Sequence, residues 1–283
     1  MAASSRPRAH RELAAFAFAR LETVGFESFY LDFGAQKVAS ARTDIPHRKI
    51  AMIERRALHT LTGEDRSWLK ARHHIAFTEA SDGLLHSWGA LRAWNDDEIA
   101  PGTGFPSHGH IDMEIITYVR DGAITHEDSL GHRGRTVAGD VQVMSAGTGI
   151  RHSEYNLESS VTRLFQIWIA PERRGGAPAW GTKSFPRLDR AGRLVALASG
   201  FPEDVDVLPI RARARVLGGT LRQGDLWEYT IGTERLGYIV PARGAVEVNG
   251  VRIGARDGAT IKDARKITLH ALEEAEVILV DVS

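Results

Sequence analysis

From Met52 onward, short runs rich in β-branched and aromatic residues recur between turns rich in glycine, proline and aspartate. The runs Leu84–Trp94, Met113–Val119, Thr136–Met144 and Leu164–Ile169 are strand candidates. Between them sit Pro101-Gly102, Asp121-Gly122, Ala138-Gly139-Asp140 and Gly147-Thr148-Gly149. Short strands punctuated in this way predict an all-β sandwich or barrel. Closure into a barrel removes exposed strand edges, so it is the stable solution for such a chain.

A looser stretch rich in glycine, proline and arginine runs from Pro171 to Pro186 and includes Gly175-Gly176-Ala177-Pro178, a composition typical of a domain boundary. Strand-like sequence then resumes at Leu226–Ile231, Leu236–Val240, Ala245–Val248, Val251–Ile253, Lys266–Ala271 and Glu276–Val282. Asn249-Gly250 between two of these runs is a hairpin signal. The pattern predicts two β units, 52–174 and 175–283, without a clean sequence repeat between them. Residues 1–51 differ: they carry no motif and read as an N-terminal extension, or as sequence ahead of a translation start at Met52.

Composition narrows the chemistry. Lys plus Arg and Asp plus Glu are 36 each, so nothing favours strong attraction to nucleic acid or to an anionic membrane. There is no cysteine, so a metal would be held by histidine, carboxylate or backbone oxygen, and a reducing cytoplasm is the expected location. No apolar run is long enough to span a bilayer. The segment Leu13 to Ala19, preceded by arginines, is short and Ala-rich, which fits an amphipathic helix better than a signal peptide.

The chemistry-bearing stretch is Ser107-His108-Gly109-His110-Ile111-Asp112-Met113-Glu114. Side chains alternate on a strand, so His108 and His110 point the same way, and Asp112 and Glu114 share that parity if the strand is regular. Downstream, His152 and Glu154 form a second comb after Gly147-Thr148-Gly149. Two such combs on neighbouring strands would offer three imidazoles and one carboxylate to a single ion, at about 2.0–2.1 Å for each metal–nitrogen bond. Nitrogen and oxygen ligands with open positions suit non-haem iron(II). The same set is able to hold manganese, nickel, copper or zinc.

Gly102-x5-His108-x-His110-x3-Glu114 resembles the first cupin motif, with the closing glycine one place late at Gly122. Together with Met113-Glu114-Ile115-Ile116-Thr117-Tyr118-Val119, Met144-Ser145-Ala146-Gly147-Thr148-Gly149-Ile150, His152-Ser153-Glu154 and Phe165-Gln166-Ile167-Trp168-Ile169, it resembles the pirin family. The resemblance covers roughly 52–283 and is densest over 84–171. It implies a bicupin, a double-stranded β-helix fold in which only the N-terminal barrel binds metal. It assigns the ligands to His108, His110, His152 and Glu154, with Fe(2+) as the expected ion. It also implies quercetin 2,3-dioxygenase activity on a flavonol with O₂, in which Glu154 accepts the substrate's hydroxyl proton. The alternative it carries is a non-enzymatic iron-binding regulator that contacts transcription or metabolic proteins. Two positions depart from the family pattern: Gly109 stands where proline is common, and Ile111 where arginine is common.

Other residues receive plainer readings. Glu114 is expected beside the site rather than as a ligand. His73 and His74 are read as structural, His126 and His132 as solvated near a turn, and His59 and His86 as lone. Trp68, Trp88, Trp94 and Trp168 are read as packing residues. Asn95-Asp96-Asp97-Glu98 is read as a solvated hairpin end. The C-terminal half has one histidine, His270, so a second metal site there is not expected.

Overall fold

The computed structural model describes residues 51–76 and 85–283. The expectations for residues 1–50, the Leu13 to Ala19 segment included, lie outside the described residues. The described chain is almost entirely β, with two short 3-10 turns at Leu58–Thr60 and Arg187–Arg190. No helix among the described residues is long and apolar enough to cross a membrane.

The strands form two barrels on one plan, each a seven-stranded sheet with a four-stranded partner. In the first barrel the large sheet runs Ala179–Lys183, Val141–Ser145, Glu114–Asp121, Thr162–Ile169, Leu91–Ile99, Leu69–Ile75, Thr62–Asp65. Its small sheet runs Thr103–His110, Ile150–Asn156, Ala123–Asp128, Arg133–Val137. In the second barrel the large sheet runs Met52–Arg56, Gly258–Lys262, Leu236–Arg243, Ala275–Val282, Arg215–Leu221, Leu194–Ser199, Leu208–Pro209. Its small sheet runs Leu226–Thr230, Lys266–Ala271, Val246–Val248, Val251–Ile253.

Period-two alternation explains how the large sheets can be apolar on one face and mixed on the other. Along Thr162–Ile169, Phe165, Ile167 and Ile169 enter a shared core with Tyr238, Val240, Ile278 and Val280 of the second barrel. The two large sheets therefore pack back to back. Leu164 faces the other way, into the first barrel's own core with Val119 and Ile124. Gln166 has the same parity and delivers its amide to the barrel interior.

The barrels also trade strands. Met52–Arg56, which precedes the first barrel in sequence, pairs antiparallel with Gly258–Lys262 of the second. Arg55 donates to Asp257 there, at 2.8 Å. Ala179–Lys183, which lies beyond the expected 174/175 boundary, pairs with Val141–Ser145 of the first. Both exchanges cap an edge that would otherwise expose unpaired backbone groups.

Several strand limits differ from the sequence reading. Thr136–Met144 divides into Arg133–Val137 and Val141–Ser145 because Gly139 takes φ 92, a left-handed turn that glycine accommodates. Asn95-Asp96-Asp97-Glu98 is not a hairpin end: it lies inside the strand Leu91–Ile99, with Asp96 and Asp97 buried. Asp96 is tolerated there because Arg120 and Arg256 both donate to its carboxylate, the latter at 2.6 Å. Burial, then the neighbouring Asp96 and Glu154 charges, push the Asp97 carboxyl well above the usual carboxylate range. His74 is structural as read: it is fully buried beside Trp94, Phe165 and Tyr238, and its Nδ1 lies 3.1 Å from the Tyr238 hydroxyl.

Candidate metal centre

The centre is built on the middle of the first barrel's small sheet. On Ile150–Asn156, His152 lies directly opposite His108 of one neighbour and Asp128 of the other. Glu154 lies opposite His126. Cross-strand partners share a face, so three strands aim one row of polar side chains inward. The pairing slips between His152 and Glu154, where Pro106 and Ser107 stand against Ser153 alone. A bulge of this kind re-aims side chains, and it occurs at the point where His108 enters the row.

Three of the four expected ligands converge. Ligand nitrogens of His108, His110 and His152 lie within 4.8 Å of one another. Their ring centroids are 4.4 Å apart for His108 and His152, 4.9 Å for His108 and His110, and 5.1 Å for His110 and His152. His108 Nδ1–H donates to the Pro106 carbonyl at 2.8 Å, which leaves its Nε2 as the free lone pair. The Nε2 atoms of His110 and His152 are buried without a hydrogen-bond partner. Buried nitrogens left bare beside one another are expensive unless something fills the gap, and a cation fits that donor set.

Glu154 is placed differently from the trio. It belongs to a second overlapping group with His126 and His152, whose ligand atoms also lie within 4.8 Å of one another. Its carboxylate is gripped by neutral donors: Gln142 Nε2 donates to Oε1 and Gln166 Nε2 to Oε2, each at 2.6 Å. Trp168 Nε1 in turn donates to Gln166 Oε1 at 3.0 Å, and Thr136 Oγ1 to Gln142 Oε1 at 3.1 Å, so both amides are held in the donating orientation.

Electrostatics follow from burial. Burial pushes the Glu154 carboxyl up to about 7, against the hydrogen bonds from Gln166 and Gln142 that favour the carboxylate. Burial, then the neighbouring His108, pushes His110 down to about 4. Burial, then His108 and His110, pushes His152 down to about 2. Both shifts favour the neutral imidazoles of His110 and His152, the form that binds a metal.

Residues read as bystanders sort into two kinds. Glu114 does not stand beside the site as expected: it shares the parity of Ile116 and Tyr118, which enter the core between the barrels, and Ser145 Oγ donates to it there at 2.6 Å. Trp94 is fully buried in the shared core, whereas Trp168 meets the His110 ring edge-on at 4.9 Å and forms a wall of the site. His132 is exposed, as read. His126 is not solvated: it is 0% exposed and stacks flat on Trp180. A signal for it existed, since His126 and Asp128 are a third two-residue comb of the same parity as the two that were read.

The mouth is a concavity of about 430 Å³ beside His110, lined by Gly109, Ile111, Ser129, Ile150 and Arg151 among others. Ile111 is 64% exposed at its rim. Among the described residues, no metal-competent cluster lies in the second barrel.

Sequence profiles agree with this layout. The family described as Pirin matches residues 52–169, and the one described as Quercetinase C-terminal cupin domain matches 197–282. A protein named Pirin-like protein from Caulobacter vibrioides is 64% identical over 82% of this chain and 100% of its own length. One named Quercetin 2,3-dioxygenase from Escherichia coli K12 is 38% identical over 76% of this chain and 92% of its own length. The crystal structure of the bacterial pirin YhhW from Escherichia coli in complex with nickel(II) superposes with a TM-score of 0.76 at 36% identity, covering 82% of this chain and 99% of that one.

Proposed function

This chain belongs to the pirin family, and from that premise we propose that it is a metal-dependent dioxygenase of the quercetin 2,3-dioxygenase kind, using O₂ and a flavonol-like aromatic substrate. We assign its metal to His108, His110, His152 and Glu154, and take iron(II) as the native ion. The observation that carries this reading is the convergence of three imidazoles whose free nitrogens include two buried atoms with no other partner. The nickel(II) bound to the related YhhW structure and the name of the Escherichia coli relative support the same chemistry.

A divalent ion in this position supplies Lewis-acid activation of a substrate hydroxyl. The chain supplies the rest. Glu154, with its carboxyl near 7, is ionised often enough at neutral pH to accept the hydroxyl proton at a carboxylate oxygen. Gln142 and Gln166 keep that carboxylate aimed along the row. The aromatic wall of Trp168 and the rim at Ile111 give a flat apolar ligand surfaces to lie against.

The test loads the full chain with iron(II) and follows O₂ consumption and ring-opened product from quercetin, for the wild type and His108→Ala. Turnover that disappears in the variant supports the dioxygenase. Stoichiometric metal with no turnover points to the regulatory alternative, a metal-bearing protein that works by contact. A wild type that takes up no metal overturns both.

A further inference from the structure

His126 sits one strand away from the proposed ligands His152 and Glu154, and the family resemblance gives it no role. Its ring is fixed: it lies on Trp180 with centroids 4.9 Å apart and planes 8° from parallel. Its two nitrogens meet different partners. Nε2 lies 3.2 Å from Asp128 Oδ2, and Nδ1 lies 3.4 Å from His152 Nδ1.

The direction of these bonds follows from Asp128. Its Oδ1 accepts the backbone N–H groups of Leu130 and His132 at 2.9 and 3.1 Å, and its Oδ2 lies 2.9 Å from His132 Nδ1. A carboxylate that only accepts requires His126 to donate from Nε2. A neutral imidazole protonated on Nε2 has its lone pair on Nδ1. His152 must therefore donate from Nδ1, which leaves a lone pair on Nε2, the atom that is buried without a partner.

We infer that Asp128 and His126 are positioning residues that fix the tautomer of His152 in series, so that its Nε2 faces the metal site bare. The inference rests on the metal centre proposed above and adds a determinant of its affinity. Most ligating histidines are oriented by one carboxylate or carbonyl. Here the carboxylate acts through an intervening imidazole, and the ring stack on Trp180 holds that imidazole in register. Asp128 in turn is held by the tight turn that follows it, where Gly131 takes φ 88.

The experiment reads tautomers and affinity separately. Long-range 1H–15N spectra of the metal-free full chain report which nitrogen of each histidine carries the proton, and zinc(II) titration against a competing chelator reports affinity. In the wild type His152 is expected protonated on Nδ1. In Asp128→Asn the amide can donate to His126 Nε2, which moves the His126 proton to Nδ1 and the His152 proton to Nε2. Zinc affinity should then fall about 10- to 100-fold, the usual range for loss of such a support. His126→Phe keeps a ring on Trp180 but removes the acceptor, and should weaken zinc in the same direction, so the test survives if Asp128→Asn fails to fold. His132→Ala removes a different partner of Asp128 and should leave both readouts unchanged.

A wild-type His152 protonated on Nε2, an Asp128→Asn chain that binds zinc as tightly as the wild type, or a zinc-coordinated His126 nitrogen each overturns the relay. If His108→Ala leaves zinc binding intact, the metal centre itself is wrong, while the metal-free spectra still judge the relay on its own.

Discussion

In the first barrel, the strand Ile150–Asn156 turns His152 and Glu154 inward. In the second, the strand at the same place in the same sheet order, Lys266–Ala271, turns Ile267, Leu269 and Ala271 inward. The neighbouring strand contributes His126 and Asp128 in one case, and Val246 and Val248 in the other. One backbone plan thus accepts a row of polar groups or a hydrocarbon filling. Each large apolar side chain in the second filling contributes roughly 1.5–3 kcal/mol by leaving water. Each buried polar group of the first must be matched by a partner or carry a penalty. The comparison teaches that the second barrel can stabilise while the first binds.

Swapping the two kinds of loss is the strongest way to break that division. Leu269→Ala should cost about 2–5 kcal/mol in chemical denaturation and leave metal binding unchanged. His152→Ala should abolish stoichiometric metal uptake and cost far less stability. If Leu269→Ala weakened metal binding, or His152→Ala unfolded the chain, the division of labour would be wrong.

Acid should sharpen the contrast where the barrels meet. Burial pushes His74 down to about 3 in the folded chain, from an ordinary value near 6.5. The unfolded chain therefore binds the extra proton between pH 6.5 and 3. Stability from the neutral ring is complete above 6.5 and lost as pH falls through that window. By pH 5 the loss is about 2 kcal/mol, and His74→Phe should lack it when unfolding free energies at pH 7 and pH 5 are compared. An equal pH sensitivity in wild type and variant would place the acid-labile group elsewhere.

The smallest effect tests which barrel owns the first strand. Ile53 packs on the second barrel's core. Ile53→Ala should cost about 1 kcal/mol. Hydrogen exchange should show the loss at Gly258–Lys262, with the strands around His152 keeping their protection. Faster exchange confined to the first barrel would contradict the strand exchange.

What the sequence disclosed, and what it did not, divides along physical lines. Parity made His108, His110, His152 and Glu154 legible, because alternation is local and survives whatever the rest of the chain does. The C-terminal strands were legible for the same reason, with Val251–Ile253 and Lys266–Ala271 matching residue for residue. Asn95–Glu98 and His126 were misread because polarity was equated with solvent. Asp97 and His126 lie on the first barrel's inward face, while Asp96 lies at the seam between barrels, where Arg256 of the second barrel donates to it. Glu154's distance from the imidazole trio was not legible either, since the slip at Pro106 and Ser107 depends on pairing between strands. The exchange of Met52–Arg56 left no local mark, because only its partner far along the chain defines it.

That exchange sets an order of events during synthesis. Met52–Arg56 leaves the ribosome early, but Gly258–Lys262 is among the last segments made, and Arg55 and Asp257 stand 202 residues apart. An emerging chain can assemble the first barrel while Met52–Arg56 still waits for its partner. Closure of the far barrel is then a late, long-range step. A nascent chain stalled before that point would display Met52–Arg56 as an unsatisfied strand.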